Sequence, residues 1–269
     1  MKCKLSELNI YPVKSLGGIS LKEAEVTDRG LKYDRRWMIV DRDEKFITQR
    51  HHPQLALLKT KINHNKLILS HKTKDISPLV VPTNSNLTEI TIVNVWDDLV
   101  SALAVGRYAD EWLNEVLGFK CRLVFMPDDS QRFVDREYAA QNEIVSFADA
   151  FPFLIIGQSS LDDLNSRLEE SIPMNRFRPN FVFTGGEPYE EDSWLKFKIG
   201  NIAFEGVKPC SRCATITVDQ DSADGDEEPL KTLSTYRKVG NKTYFGMNLI
   251  HDGTGTVRVG DEIEVLEKK

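Results

Sequence analysis

The chain has 269 residues, of which 41% are hydrophobic and 28% charged, a composition typical of a soluble globular protein. Its net charge of −6 provides no general attraction to nucleic acid or to an anionic membrane, so neither is expected as a partner. No apolar run approaches the roughly 20 residues that span a bilayer, no secretory signal is present, and four cysteines are too few for a disulfide scaffold. These features predict a cytoplasmic protein.

Short strands separated by turn residues dominate the first half of the chain. Alternating or β-branched apolar residues occur in LSELNIYPV, EAEVTD, RWMIVD, LALLKTKIN, KLILSH and EITIVNVW. A helix is predicted over YADEWLNEVLG, where Ala109, Trp112, Leu113 and Val116 follow helical spacing and Gly118 stands at the end. Many short strands with few helices favour a barrel or a sandwich.

A polar connecting segment, residues 127–142, is followed by a second group of elements. FPFLIIG is predicted as a strand, and SSLDDLNSRLEES as a helix capped by Ser159 or Ser160. The apolar face of that helix is predicted to consist of Leu161, Leu164 and Leu168. Further strands are predicted for FVFTGG, WLKFKIGNIAFEGV, CATITVD and TVRVGDEIEVLE. The pattern predicts a mainly β protein of the α+β class, with two β-rich units joined near residue 125.

The segment GVKPCSRCATITVD contains a Cys-x-x-Cys pair, Cys210 and Cys213. Structural zinc needs about four Cys or His ligands, but there is no second pair and the five histidines are scattered. A redox dithiol normally opens a helix, whereas Cys213 precedes a predicted strand. A single thiolate, favoured by Lys208 and Arg212, would suit a soft or high-valent metal. Two ordinary cysteines in a loop are an equally open interpretation of this segment alone.

Cationic residues stand beside several predicted turns. They are Lys14 in YPVKS, Arg35 and Arg36 in YDRRW, Arg50 in ITQR, and Arg176 and Arg178 in NRFRPN. Each alone is typical of a surface charge. Arg178 differs, because Pro179 restrains its backbone and an apolar strand follows. Several such cations at the ends of core strands would suit a phosphate or another polyanion.

Ordered matches along almost the whole chain resemble MOSC-domain proteins, of the two-part kind related to the mitochondrial amidoxime-reducing component and its bacterial relatives. IYPVKSLGG, GLKYDRRWMIVD and ITQRHHPQLALL resemble the N-terminal β-rich domain of that family, which is expected over residues 1–124. A catalytic MOSC β-barrel with a few helices is expected over residues 125–269. Its matching segments are VSFADAFPFLII, SSLDDLNSRL, NRFRPNFVFTG, EDSW, VKPCSRCATITVD, PLKTLSTYR, FGMNLI and VRVGDEIEVL.

The resemblance implies a molybdenum–pterin cofactor of the cysteine-ligated type, with Cys213 as metal ligand and catalytic residue. It implies that Lys14, Ser15 and Arg35 hold the pterin and its phosphate from the first unit. The contacts implied in the second unit are Asp149, Arg178, Asn180, Ser211, Arg212 and Asn248. At Asp149 backbone groups are the more expected contacts, and Cys210 receives no role.

The resemblance also implies an oxidoreductase that reduces N-hydroxylated compounds, such as hydroxylaminopurines, amidoximes and hydroxylamines, by two electrons with release of water. Some bacterial relatives append an iron–sulfur domain, whereas this chain stops after its last predicted strand. Electrons are therefore expected from a separate ferredoxin-, flavodoxin- or cytochrome-like protein. The alternative is a carrier of the molybdenum cofactor, or of sulfur on Cys213, that does not turn over such substrates.

Overall fold

A computed structural model describes residues 2–83, 87–139 and 141–269. The strands in this part of the chain are β1 Lys4–Ile10, β2 Ile19–Leu21, β3 Glu23–Thr27, β4 Gly30–Leu31, β5 Trp37–Val40, β6 Leu58–Asn63, β7 Lys66–His71, β8 Leu79–Pro82, β9 Ile90–Val95, β10 Asp98–Ala104, β11 Arg122–Phe125, β12 Phe153–Gly157, β13 Phe181–Thr184, β14 Trp194–Ile199, β15 Ile202–Arg212, β16 Lys238–Val239, β17 Lys242–Asp252, β18 Gly255–Arg258 and β19 Ile263–Lys268. The α-helices are α1 Arg107–Leu117, α2 Gln158–Asn165 and α3 Leu230–Tyr236. Short 3-10 helices are Pro53–Leu57, Met174–Arg176, Glu190–Ser193 and Ala214–Thr217. Within the described ranges no helix is long and apolar enough to be a membrane span.

The largest sheet contains strands from both halves of the chain. Its order is β19-β14-β15-β17-β12-β13-β1-β2, with β16 beside β17. The pair β12–β13 is parallel, whereas β1 pairs antiparallel with β13 and places Leu8 opposite Phe181. Strand β18, near the C-terminus, pairs in turn with β3. The two halves of the chain are therefore joined by main-chain hydrogen bonds, and the predicted division at residues 124 and 125 stays a prediction.

The main hydrophobic core lies on the large sheet and, like that sheet, contains residues from both halves of the chain. Leu5, Leu8 and Ile10 of β1 are buried together with Phe153 and Phe181. Each such side chain contributes roughly 1.5–3 kcal/mol when it leaves water. A second core lies beneath α1 and consists of residues from the first half of the chain alone. The prediction of a mainly β protein with a few helices is confirmed.

The helix predicted before residue 118 is confirmed as α1. Ala109, Leu113 and Val116 are buried on one face, as the helical spacing requires. Gly118 has a φ of 81° and its N–H donates to the carbonyl of Asn114 at 3.0 Å. This left-handed conformation costs glycine little, so the residue ends the helix.

Two predicted strands are wrong in part. The strand predicted for LALLKTKIN begins only at Leu58, because Pro53 opens a 3-10 helix in which Leu55 is buried. The strand predicted for CATITVD is instead the 3-10 helix Ala214–Thr217. Pairing of β15 with β17 ends at Arg212, and the chain then turns, which buries Ile216.

The serine cap predicted for α2 is also wrong. The helix begins at Gln158 after the cap residue Gly157, and it ends at Asn165, before Leu168. Ser160 lies inside the helix, where its hydroxyl is 2.9 and 3.0 Å from the two carboxylate oxygens of Glu191. The Gly157 N–H donates to the same carboxylate at 3.1 Å. A buried carboxylate from a distant segment therefore binds the first turn of the helix.

We predict that Glu191 makes stability depend on pH. Burial raises the pKa of Glu191 to about 7, although bonds from Gly157 and Ser160 oppose the shift. The folded-state pKa exceeds the unfolded value. The stability that protonated Glu191 contributes is therefore fully present below about pH 4.3 and is lost as pH rises through 7. Glutamine stays neutral at every pH, so Glu191→Gln should not lose this stability. The difference in free energy of unfolding, variant minus wild type, should therefore increase by about 2 kcal/mol from pH 5 to pH 8, measured by urea denaturation.

The exposed Glu187, in the loop before Glu191, provides the matched control. Glu187→Gln should leave the pH dependence of unfolding as it is in the wild-type chain. Equal pH profiles for the two variants would contradict the role given to the buried carboxylate.

Candidate functional site

A cleft of about 970 Å³, measured to its open mouth, lies where loops of the first half meet the end of β15 and the middle of β17. All ten predicted site residues border the cleft: Lys14, Ser15, Arg35, Asp149, Arg178, Asn180, Ser211, Arg212, Cys213 and Asn248. The structure thus brings together residues from distant parts of the sequence, while their roles toward a ligand stay predictions.

Main-chain bonds place the residues of the first half at the cleft. The segment after β1 lies beside the segment before β5, because the Arg35 N–H donates to the Tyr11 carbonyl and the Lys14 N–H to the Trp37 carbonyl, both at 2.8 Å. The Tyr11 N–H donates to Asp34 Oδ1 at 2.7 Å. Lys14 and Arg35 are therefore held on adjoining segments at one wall of the cleft.

Three of the predicted site residues have left-handed backbones. Ser15, Arg35 and Arg178 have φ values of 68°, 48° and 57°. Residues before proline are pushed toward extended conformations, so the restraint predicted from Pro179 does not describe Arg178. Such conformations cost about 1–3 kcal/mol each, and they cluster at functional sites.

Asn180 connects the wall of the cleft to the main sheet. Its side chain is 1% exposed, its Oδ1 accepts from Arg35 at 3.2 Å and from the Leu154 N–H at 3.3 Å, and its Nδ2 donates to the Asn9 carbonyl at 3.2 Å. Arg35 in turn donates to Asp34 Oδ2 at 2.5 Å. Asn180 thus orients Arg35, and its own contact with a ligand stays a prediction.

Arg178 presents a cation that lacks an anionic partner in the described part of the chain. No hydrogen bond or ion pair joins its guanidinium to another described residue, and its central carbon lies 4.3 Å from the centre of the Tyr11 ring. The Arg35 guanidinium lies at the same distance from that ring. Burial lowers the pKa of Arg178 to about 10, so the side chain stays charged at neutral pH and would accommodate an anion.

Lys14 and Asp149 form an ion pair in the cleft. The Lys14 ammonium, 5% exposed, donates to Asp149 Oδ1 at 2.6 Å and to the Phe147 carbonyl at 2.8 Å. Burial lowers the pKa of Lys14, and the Asp149 charge opposes that shift. Desolvation by the surrounding cleft would raise the pKa of Asp149, but the charge and hydrogen bond of Lys14 hold that pKa at about 2. Asp149 keeps 75% of its side chain accessible to water, so an ionised carboxylate faces the cleft.

The two cysteines differ in their surroundings. Both are free thiols. Burial would raise the pKa of Cys213, but hydrogen bonds from the Thr215 hydroxyl and N–H and from Arg50 outweigh it, and the pKa is lowered. The Cys213 sulfur lies 3.3 Å from Thr215 Oγ1. Burial raises the pKa of Cys210, and Arg212 only partly opposes this. Cys213 is therefore the thiol that ionises more readily.

The cations predicted to favour the Cys213 thiolate are corrected by the structure. The Lys208 ammonium lies over the Tyr138 ring at 4.1 Å. Arg212 donates to the Phe245 carbonyl at 2.7 and 2.8 Å and to the Phe177 carbonyl at 3.1 Å. It therefore ties the end of β15 to its neighbours. The cation at Cys213 is Arg50, which the sequence showed only as one of several cations beside turns.

Further residues of the cleft were not assigned to the site from the sequence, although Arg50 and Arg176 stood among the cations beside predicted turns. They include Thr48, Arg50, Trp96, Phe151, Arg176 and Thr215. The Arg50 guanidinium lies 5.6 Å from the Trp96 ring centre at the mouth of the cleft. Thr48 and Trp96 carry no pattern that would mark them in the sequence. Thr215 could have been found from its place two residues after Cys213.

A buried amide pair holds the loops of the two halves together beside the cleft. Gln49 donates to Gln220 Oε1 at 3.1 Å and accepts from Gln220 Nε2 at 2.9 Å. Gln49 Nε2 also donates to the Ser15 carbonyl at 2.8 Å. The Ser15 loop is therefore fixed against the loop that follows the 3-10 helix Ala214–Thr217.

The donor set fits a molybdenum–pterin group. Lys14, Arg35 and Arg178 offer cations suited to a phosphate, and Cys213 offers a readily ionised thiol suited to a soft or high-valent metal. Asn248 adds an amide of the kind that can pair with a pterin edge. In the described ranges no cluster of three or more His, Cys, Asp or Glu residues could hold a metal ion.

Comparison with known proteins finds two successive family matches and several similar proteins. Residues 2–120 match the MOSC N-terminal beta barrel domain, and residues 142–264 match the MOSC domain. Mitochondrial amidoxime-reducing component 1 of Mus musculus is 34% identical over 97% of this chain and 82% of its own length. The Homo sapiens protein of that name is 33% identical, also over 97% of this chain and 82% of its own length. Molybdenum cofactor sulfurase of Oryza sativa subsp. japonica is 31% identical over 92% of this chain and 32% of its own length.

Arg50→Gln should raise the pKa of Cys213, because it removes a hydrogen bond and a charge that favour the thiolate. Alkylation of Cys213 by iodoacetamide in cofactor-free protein should slow by about two- to fivefold at pH 7.5. The pH profile of the rate, followed by mass spectrometry of the Cys213 peptide, should move to higher pH.

Arg42 is the matched control, since it is an exposed arginine of the same segment that does not border the cleft. Arg42→Gln should leave the alkylation profile of Cys213 unchanged. An Arg50→Gln profile that overlays the wild-type profile would rule out the contact.

Proposed function

The chain belongs to the MOSC family, and from this we propose that it is a molybdenum-cofactor-dependent reductase of N-hydroxylated compounds. A molybdenum-cofactor-associated function follows from the family and from relatives named amidoxime-reducing component and molybdenum cofactor sulfurase. The substrates proposed are hydroxylaminopurines, amidoximes and hydroxylamines. We also propose that it acts in the cytoplasm.

One observation carries the proposal: the cleft combines an easily ionised thiol with a separate set of cations. Cys213 would be the protein ligand of the metal. Lys14, Arg35 and Arg178 would hold the pterin phosphate, and the partnerless guanidinium of Arg178 would gain an anion. When bound, the molybdenum–pterin group would supply the two-electron chemistry.

The reaction converts N–OH into N–H and water, and it consumes two electrons and two protons. Asp149 has a pKa of about 2, so at neutral pH its carboxylate accepts hydrogen bonds and donates no proton. It would therefore orient the N–H or O–H groups of a substrate. Lys14 keeps that carboxylate in place at 2.6 Å. Protons would come from water at the open mouth of the cleft.

The electrons would come from a separate protein. We propose a ferredoxin-, flavodoxin- or cytochrome-like donor, because the two-electron reduction needs an external source. Trp96, 46% exposed, and Arg50 border the mouth, where such a donor could approach the bound group.

A second candidate function is a carrier of the cofactor or of sulfur, and the relative named molybdenum cofactor sulfurase favours it. A carrier would use the same thiol, because a readily ionised cysteine also suits a persulfide. It would bind the pterin, or bear labile sulfur on Cys213, without reducing N-hydroxylated compounds. Turnover therefore separates the two functions.

Cys213→Ser should abolish the reduction of benzamidoxime, with a loss of at least about a hundredfold, since even outer-shell changes at metal sites cost 10–100-fold. The measurement is benzamidine formation by cofactor-loaded protein with a chemical electron donor such as reduced methyl viologen. This donor removes any dependence on the unidentified partner protein.

Cys210→Ser is the matched control, because it removes the neighbouring thiol whose pKa burial raises. It should keep most of the activity. Full activity in Cys213→Ser would remove the proposed reductase mechanism, and absence of turnover in the loaded wild-type chain would favour the carrier.

A further inference from the structure

A second cavity of about 910 Å³ lies next to the cleft, on the other side of Arg178. Its lining comes from five separate regions of the chain, including β1, β6 and the 3-10 helix Met174–Arg176. The residues that line it are Glu7, Asn9, Tyr11, Gly17, Gly18, Ser20, Lys59, Thr60, Lys72, Met174, Asn175, Arg178, Pro179 and Gln220. Arg178 is common to both cavities, and none of the other predicted site residues borders the second one.

The charges that line this cavity favour an anion. Among the described residues of the lining, Lys59, Lys72 and Arg178 contribute three cations, whereas Glu7 is the single acidic side chain. Lys72 is engaged already, with Asp221 Oδ1 at 2.8 Å. Lys59 and Arg178 have no ion pair or side-chain hydrogen bond to any residue that the structure describes. Lys59 is exposed to water, whereas Arg178 is half-buried. Three cations against one carboxylate among the described lining residues give the cavity a local excess of positive charge in a chain of net charge −6.

The wall of the cavity is built with little freedom. A Cβ at Gly18 would lie 2.6 Å from Cε1 of Tyr11, so only glycine allows the Tyr11 ring, and Arg178 stacked on it, to take this place. The Thr60 hydroxyl donates to the Gly17 carbonyl at 2.7 Å and fixes the loop against β6. The Tyr11 ring and the Thr60–Gly17 hydrogen bond therefore hold the wall that carries Arg178 in a fixed position beside β6, the strand that carries Lys59.

Polar groups that could recognise the rest of a ligand are also present. Ser20 and Asn175 border the cavity, and neither side chain has a hydrogen bond to a described residue. Pro179 and Met174 add apolar surface beside them. The lining thus combines cations, free amide and hydroxyl groups, and a small apolar wall, as expected of a site for a polar organic anion.

We propose that the second cavity binds a small phosphate ester, whose phosphate lies between Arg178 and Lys59 and whose organic part contacts Asn175 and Ser20. A phosphate dianion forms charge-assisted hydrogen bonds with both side chains, and the guanidinium can contribute two of them. The proposal does not depend on which reaction the cleft catalyses. The ester is either a free molecule or an extension of the group held in the cleft, since Arg178 borders both.

The test is calorimetric titration of the cofactor-free 269-residue chain with AMP, inorganic phosphate and adenosine as separate probes. AMP should bind more tightly than either of the other two. Lys59→Ala should weaken AMP binding by about fivefold or more, since it removes a charge-assisted contact, and added salt should weaken the wild-type binding.

Lys61→Ala is the matched control, because Lys61 is an exposed lysine two residues along β6 that does not line the cavity. It should bind AMP within about twofold of wild type, because Lys61 does not border the cavity and an exposed charge without a direct contact contributes little. The proposal is overturned if adenosine binds as tightly as AMP, or if the two lysine variants lose the same affinity.

Mass spectrometry of the small molecules released from cofactor-loaded protein distinguishes the two sources. A pterin that carries a covalently attached nucleotide supports the extension, and an unmodified pterin together with AMP binding supports the free ester. An unmodified pterin with no AMP binding at millimolar concentration overturns the proposal. These outcomes differ from a failed reductase assay, which does not involve Lys59.

Discussion

The position of the cleft depends on the insertion of β1 into the large sheet. Main-chain bonds hold β1 against β13, and the Asn9 N–H donates to the Asn180 carbonyl at 2.8 Å. The chain leaves β1 directly into Tyr11 and Lys14, so the same pairing carries the first-half cations to the strands that end beside Cys213. Main-chain hydrogen bonds and a shared core join the two halves of the chain. The fold itself therefore fixes the positions of the first-half cations relative to the Cys213 thiol.

The cleft also concentrates positive charge that the protein itself does not neutralise. Asp34 pairs with Arg35 and Asp149 pairs with Lys14, but Arg178 is left on the Tyr11 ring beside another guanidinium. Burying cations without partners costs free energy, and left-handed backbones at Ser15, Arg35 and Arg178 add to that cost. An anionic ligand would offset part of it, which explains why a stable fold would keep such an arrangement.

Much of the fold and the membership of the site could be predicted from the sequence. The spacing of Ala109, Leu113 and Val116 requires a helix, and ordered motif matches point to ten residues that all border the cleft. The turn after Cys213 could not be predicted, because it depends on where β17 stops pairing with β15. Local composition suggested a strand there.

Contacts between segments that are distant in sequence could not be predicted either. Arg50 reaches Cys213 from a loop of the first half, whereas Lys208 and Arg212 are near it only in sequence. Ser160 looked like a cap, and only the fold shows that its partner is Glu191. The cavity beyond Arg178 is formed by residues of β1, β6 and a 3-10 helix, and no local pattern links them.

Metal and pterin analysis of the purified chain tests the central claim most directly, namely that the cleft holds a molybdenum–pterin group on Cys213. The protein would be expressed in a host that makes the cofactor, and its molybdenum, zinc, labile sulfur and pterin contents would be measured per chain. We expect close to one molybdenum and one pterin per chain. Zinc in place of molybdenum, or labile sulfur without metal and pterin, would contradict it.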